Sequence, residues 1–367
     1  MNITPESCNK ALKEMSVIVD AELSRTLEER AKGPVAHMYN MLRYFLGYVD
    51  ADFVPTKEES GKRFRPSLCL LLADAYGARE KALEAAVAIE LFHNFTLIHD
   101  DVEDRDEYRR NKPTVWKLWG INHAINSGDV QSLLATEWIT RAARQSDVGA
   151  RLAKILTEAF IEVGEGQHLD FELGENSLET DAVSEERYFL MTEKKSGVLV
   201  RVSAEVAGVA GGKDEKECSH LREYGTYFGM AYQMADDYRS VWTTQTVTGK
   251  DTHSDIREHK RTLPFLYTYT ELTSGAKNRL KELYSLSRQL SESEIVEVSV
   301  LFDSTHAREK VRAKIHEYVF KAKQAAEELT IPEETRAILM GLIDMLVPEG
   351  SEETQAIFTE SIPIALI

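Results

Sequence analysis

The sequence predicts an all-α protein, and three observations carry that expectation. Only 9 of its 367 residues are proline, about half the usual ~5% share, and none lies in the 150 residues between Pro113 and Pro264, so long helices meet no breaker there. Apolar residues recur at helical spacing over 136–164, 188–208, 276–290 and 307–329. No alternating strand pattern of convincing length is present. Length alone would allow two or three domains of about 150 residues; one large helical domain fits equally well.

Taken in order, Thr4 followed by Pro5 predicts an N-cap and a first-turn proline, opening a helix to about Leu27. A second helix is expected over 35–48. Residues 52–60 are polar and contain Pro55, so they form a loop leading into Gly61-Lys62-Arg63-Phe64-Arg65-Pro66, and the next helix is expected from about Ser67 to Ala75. From Ala82 to Ile98 the chain reads ALEAAVAIELFHNFTLI, with Glu84 and Glu90 as its only formal charges, which predicts a central helix buried on all sides. It runs into His99-Asp100-Asp101-Val102-Glu103-Asp104. The design returns where the apolar stretch from Tyr224 to Ala235 ends in Asp236-Asp237.

Several functional classes drop out. No uncharged apolar run reaches the ~18 residues of a membrane helix, since the best candidate, 198–212, carries Arg201 and Glu205. The start lacks a basic segment followed by an apolar one, so it is no secretory signal and a cytoplasmic location is expected. Cys8, Cys69 and Cys218 are too scattered for a disulfide framework or a zinc site. A net charge of −17 disfavours nucleic acid as a partner. The basic residues are nevertheless concentrated: Lys57, Lys62, Arg63 and Arg65; Arg109, Arg110 and Lys112; Lys250, Arg257, Lys260 and Arg261.

Carboxylates buried at the end of an apolar helix cost several kcal/mol each unless paired with cations. Asp100 and Asp104, four residues apart, share one helix face. Such a pair suits Mg2+, which takes one or two carboxylates and completes its shell with water and phosphate oxygens. A diphosphate substrate follows. His93, seven residues before Asp100, lies on that same face.

These residues resemble a family. Glu90 to Asp104 followed by Arg109-Arg110-Asn111-Lys112-Pro113 resembles the first aspartate-rich region of trans-isoprenyl diphosphate synthases, and Gly61 to Pro66 resembles their isopentenyl diphosphate motif. Gly166-Gln167-His168-Leu169-Asp170, Lys195-Ser196-Gly197, 233–237 and 249–260 follow in family order, so the resemblance spans roughly residues 35 to 345.

The resemblance implies a single helical bundle of the isoprenoid synthase type over residues 1–347, with two facing aspartate-bearing helices around a deep apolar cavity, and a homodimer. It implies an enzyme that ionises an allylic diphosphate (dimethylallyl, geranyl or farnesyl) and adds isopentenyl diphosphate, using three Mg2+. By resemblance, Asp100, Asp104 and Asp236 are metal ligands, Asp101 and Asp237 stand behind them, and Asp170 and Asp255 line the cluster. Lys62, Arg65, His93 and Arg110 match isopentenyl diphosphate binders. Arg109, Lys195, Ser196, Gln233, Lys250 and Lys260 match groups that hold the allylic diphosphate.

Two departures bear on this reading. Ser240 stands where a third aspartate is expected, and Ser60 and Asn111 where glycine is usual. Asp236 and Ser240 also fit part of the metal triad of terpene cyclases, while Thr244 does not. A non-catalytic partner subunit usually loses an aspartate motif or its basic clusters, and this chain keeps the first motif complete and all three clusters. Product length is expected to be set along the helix before Asp100: at ~1.5 Å per residue, Phe95 lies about 7 to 8 Å and Phe92 about 12 Å below it. An aromatic at Phe95 with Thr96 beside it resembles synthases of geranylgeranyl diphosphate, with farnesyl diphosphate as the alternative. The tail 348–367, ending IPIALI, receives no role.

Overall fold

The computed structural model describes residues 4–56, 61–144, 148–175, 183–243 and 253–347. Lys250, Thr244, Ser60, Lys57 and the tail 348–367 lie outside them. The described chain is helical almost throughout. Its first half holds α1 (Pro5–Arg30), α2 (Ala36–Phe45), α3 (Phe64–Ala75), α4 (Arg79–Glu103), the short α5 (Val115–Trp119), α6 (Ile121–Ala143) and α7 (Gly149–Glu175). After it come α8 (Glu185–Thr192), a π-helical turn (Glu193–Gly197), α9 (Val198–Ala210), α10 (Glu215–Trp242), α11 (Ser254–Arg257), α12 (Leu263–Glu271), α13 (Ser274–Tyr284), α14 (Glu292–Asp303), α15 (Ala307–Glu327) and α16 (Glu333–Asp344).

Local chemistry explains most boundaries. Thr4 caps α1 by accepting from the Ser7 amide, with Pro5 in the first turn. The expected α3 start at Ser67 is corrected to Phe64, because a proline in the third position of a helix has no backbone N–H that the helix needs. The helical spacing expected over 136–164 covers two helices. A Cβ at Gly149 would sit 2.5 Å from the Ala142 carbonyl oxygen, so only glycine lets α7 start against the end of α6. A further correction is a small hairpin where no strand was expected, β1 (Tyr108–Arg109) antiparallel to β2 (Lys112–Pro113). Its turn residues, Arg110 and Asn111, both have positive φ, 52° and 60°, as a two-residue twisted turn demands.

The core is one continuous apolar cluster from Cys8 to Leu346. Helix α4 packs against α3, α6, α7 and α9, and α9 in turn packs against α10, so the two helices carrying the acidic motifs flank a shared neighbour. In α9 every residue except Arg201 is buried, which fits an element surrounded by helices. Among the described residues no helix is long and apolar enough to cross a membrane.

Candidate active site

Two arginines one residue apart show how the site is built. Arg63 has positive φ, 54°, just before α3, and its side chain is completely buried. It binds Asp20 of α1 at 2.9 Å, Glu90 of α4 at 3.1 Å and the Leu46 carbonyl at 2.9 Å. Arg63, which sequence reading left in a basic cluster, is thus a structural clamp across α1, α4 and the loop after α2. Arg65 is just as buried, but its guanidinium meets the His93 Nε2, at 3.2 Å, and its own Nε has no acceptor among the described residues.

Around Arg65 the positive charge is offset only in part, by Glu90, which is itself bonded to Arg63. Burial pushes the Arg65 guanidinium down to about 10, and burial together with Arg63 and Arg109 does the same to Arg110. No carboxylate is hydrogen-bonded to either among the described residues. His93 is held well below its ordinary value by burial and by Arg65 and Arg110, so its imidazole is neutral. Arg110 reaches back from the hairpin turn over Gly61, where a Cβ would lie 2.7 Å from its guanidinium. Lys62 is half-buried beside them. A pocket that buries cations without acids is incomplete until an anion enters.

The acidic ends present the opposite imbalance. Asp100 and Asp104 close α4, with the Asp104 amide on the Asp100 carbonyl at 2.8 Å. Asp100 is raised by burial against the pull of Lys195 and Arg109. Lys195 bonds Asp170 of α7 at 2.5 Å; burial opposes its charge, but Asp170 and Asp100 lift its ammonium above the ordinary value. On the other side, burial is likewise outweighed at Lys260, lifted well above ordinary by Glu258, Asp255 and Asp104. Burial pushes Asp255 up to about 6, with Glu258 and Asp236 adding to it. Asp104, Lys260, Asp255 and Asp236 therefore form one electrostatic chain joining the ends of α4 and α10. Two lysines stand among six carboxylates.

The supporting acids are engaged by protein donors. Asp101 accepts from Arg109 Nε at 2.6 Å, while burial pushes it up to about 6 and its second oxygen is buried without a partner. Asp237 accepts from Tyr188 at 2.5 Å and from Gln233 at 2.8 Å. Gln233 in turn accepts from Ser196 at 2.7 Å. Ser240, in the place of the third aspartate, donates to the Asp237 carbonyl at 2.8 Å, so its hydroxyl bonds back to its own helix.

A cavity of about 410 Å³ connects the two charged regions. Arg65 and His93 line one part, Asp100, Lys195, Ser196 and Gln233 another, and its apolar wall carries Phe92, Phe95 and Thr96. Phe95 is only partly buried and meets Phe92 edge-on at 5.1 Å. Phe92 stacks on Phe160 of α7 at 3.6 Å and 9°. Phe160 was missed in sequence. The signal was there: it lies seven residues, two turns, before Gln167, on the α7 face that lines the same cavity.

The oxygen-only donor set, with an orphaned Asp101 oxygen behind it and lysines among the acids, fits a hard divalent cation bridged to phosphate. Among the described residues no three carboxylate, imidazole or thiol groups are gathered closely enough to enclose an ion by themselves. The acids are distributed over two helix ends, so added anionic oxygens would have to complete any shell.

Comparison with known proteins finds similarity over most of the chain. Residues 54–301 match the family model described as polyprenyl synthetase. The chain is 33% identical over 328 residues to (2E,6E)-farnesyl diphosphate synthase of Mycobacterium tuberculosis, covering 89% of this chain and 90% of that one. It is also 33% identical over 346 residues to geranylgeranyl pyrophosphate synthase of Geoglobus acetivorans, covering 92% and 98%. Among solved structures, a polyprenyl synthase from Caulobacter crescentus complexed with calcium and isoprenyl diphosphate is 25% identical, with a TM-score of 0.77 over 92% of this chain and 97% of that one.

Proposed function

We propose that this chain, which belongs to the polyprenyl synthetase family and is a prenyltransferase, condenses isopentenyl diphosphate with an allylic diphosphate to give geranylgeranyl diphosphate, with farnesyl diphosphate as the alternative product. The observation that carries the reading is Arg65, a fully buried guanidinium bonded to a neutral imidazole in a cavity that also reaches the acidic end of α4. A cyclase acting on one diphosphate would leave Arg65, His93 and Arg110 without an anion.

The residues divide the work by charge. Lys62, Arg65, His93 and Arg110 bind the isopentenyl diphosphate, the guanidiniums supplying charge and the imidazole a neutral hydrogen-bonding group. Arg109, Lys195, Ser196, Gln233 and Lys260 hold the allylic diphosphate at the opposite rim, and Lys250 joins them on sequence alone. The family is Mg2+-dependent, and bound Mg2+ supplies neutralisation of the charge developing on the departing diphosphate. Asp100, Asp104 and Asp236, with Asp170 and Asp255, would hold the ions, three by the family resemblance, and Asp101 and Asp237 support them from behind. Departure of diphosphate leaves an allylic carbocation that the isopentenyl double bond attacks, after which a proton is lost. The wall of Phe92, Phe95 and Phe160 keeps water from the cation. The same rings limit how far the tail extends, which favours a product of short-chain length. We assign residues 1–347 to one catalytic domain and expect a homodimer.

Labelled isopentenyl diphosphate offered with dimethylallyl, geranyl and farnesyl diphosphates, with and without Mg2+, tests this. Mg2+-dependent incorporation ending mainly at twenty carbons is expected; no incorporation with any primer would reject the reading.

A further inference from the structure

We propose that Tyr188 is a positioning residue for the prenyl-transfer site, acting through Asp237 and Gln233 on Ser196; this rests on the proposed function. Tyr188 is completely buried on α8 and lines no part of the cavity. Its hydroxyl donates to Asp237 Oδ2, Gln233 Nε2 donates to Asp237 Oδ1, and Ser196 Oγ donates to Gln233 Oε1. Gln233 and Ser196 do line the cavity.

The route closes on itself. Ser196 lies eight residues after Tyr188 along α8 and the π-helical turn, and Gln233 and Asp237 are one turn apart on α10. Two hydrogen bonds, one at each end, therefore lock this stretch to α10. The π turn, a feature concentrated at functional sites, carries both Lys195 and Ser196. It cannot move toward α7, because a Cβ at Gly166 would lie 2.3 Å from the Lys195 amide nitrogen. Its remaining freedom is set by the bonds to α10.

Chemistry gives the hydroxyl a task beyond filling space. A glutamine amide can present either its oxygen or its nitrogen; Asp237, an acceptor, draws the nitrogen and leaves the oxygen for Ser196. Asp237 can hold that station while fully buried only if its other oxygen has a donor, and Tyr188 is that donor. Tyr224 is the contrast: equally buried, its hydroxyl has no partner among the described residues, so the ring alone suffices for packing there.

The test compares Tyr188→Phe with Tyr224→Phe in the full chain, measuring kcat, KM for each substrate, and calorimetric binding of inorganic diphosphate with Mg2+. Tyr188→Phe is expected to lower kcat about ten- to a hundredfold and to weaken diphosphate binding, with KM for isopentenyl diphosphate within about twofold of wild type. Tyr224→Phe is expected to match wild type. Because the effect passes through Ser196, adding Tyr188→Phe to Ser196→Ala is expected to cost little more than Ser196→Ala alone. Wild-type kcat in Tyr188→Phe, or losses that multiply in the double variant, would overturn the proposal. If Tyr188→Phe does not unfold cooperatively, Asp237→Leu tests the same relay, since an apolar side chain accepts from neither Tyr188 nor Gln233; wild-type turnover there would be equally fatal. A wild-type chain that makes no prenyl diphosphate would instead reject the function itself.

Discussion

The two charged regions of the cavity are mirror images in electrostatics. Around Arg65 and Arg110, cations are buried with a neutral histidine and no bonded acid. Around Asp100, Asp170 and Asp255, acids outnumber the cations among them, which include Lys195, Lys260 and Arg109. The difference teaches what each accepts. Under the proposed function, the first binds an anion directly and the second binds one chiefly through added cations, which would let a single protein hold two diphosphates without confusing them.

The largest effect should come from the acidic side. Asp100→Asn keeps size and removes charge; turnover in the incorporation assay should fall about a hundred- to a thousandfold, the range for losing one group that stabilises developing charge. Activity near wild type would break the contrast at once.

Next come the paired arginines. Arg63→Met leaves the buried Glu90 and the partly exposed Asp20 without their cation, and should destabilise the fold by about 3 kcal/mol in denaturant unfolding. Arg65→Met removes a buried charge that lacks a carboxylate, so its unfolding midpoint should hold or rise while KM for isopentenyl diphosphate rises at least about tenfold. Equal loss of stability in both would mean that Arg65 is also a clamp.

This pair also shows what the sequence could reveal. The apolar run before Asp100, proline scarcity and the i, i+4 aspartates are local patterns, and they located α4, α10 and the acidic ends. Arg63 and Arg65 are chemically identical and nearly adjacent. Only the third dimension places Asp20 and Glu90 around one of them. Tyr188 acts through a partner 49 residues away, Asp237, so no local spacing marks it, whereas Phe160 is marked only by its two-turn offset from Gln167 and not by its partner Phe92, 68 residues away. Lys195 and Ser196 were named from resemblance, but the π turn that presents them follows from packing against Gly166.

On the apolar wall between the two regions, Phe95→Ala should shift the product distribution toward longer chains by chromatography, with the total incorporation changed less than threefold. An unchanged distribution would remove Phe95 from the floor and leave the Phe92–Phe160 stack as the limit.

The smallest effect is in the basic region's pH response. His93 titrates near 6.5 in the unfolded chain and well below that when folded, owing first to burial and then to Arg65. The unfolded state therefore gains a proton as pH drops below about 6.5 and the folded state does not, so stability falls on acidification. The stability advantage of wild type over His93→Gln should shrink by about 1 kcal/mol between pH 7 and 5.5. A constant difference would place a proton on the folded imidazole.

The most direct measurement is calorimetric binding of each substrate alone, with Mg2+ and with the metal chelated. Isopentenyl diphosphate should bind with closely similar affinity in both conditions, whereas a non-ionisable thiolo analogue of geranyl diphosphate should bind only with Mg2+. Metal dependence of isopentenyl diphosphate binding, or tight metal-free binding of the allylic analogue, would contradict the division into a pocket whose cations lack a bonded anion and a rim whose carboxylates outnumber its cations.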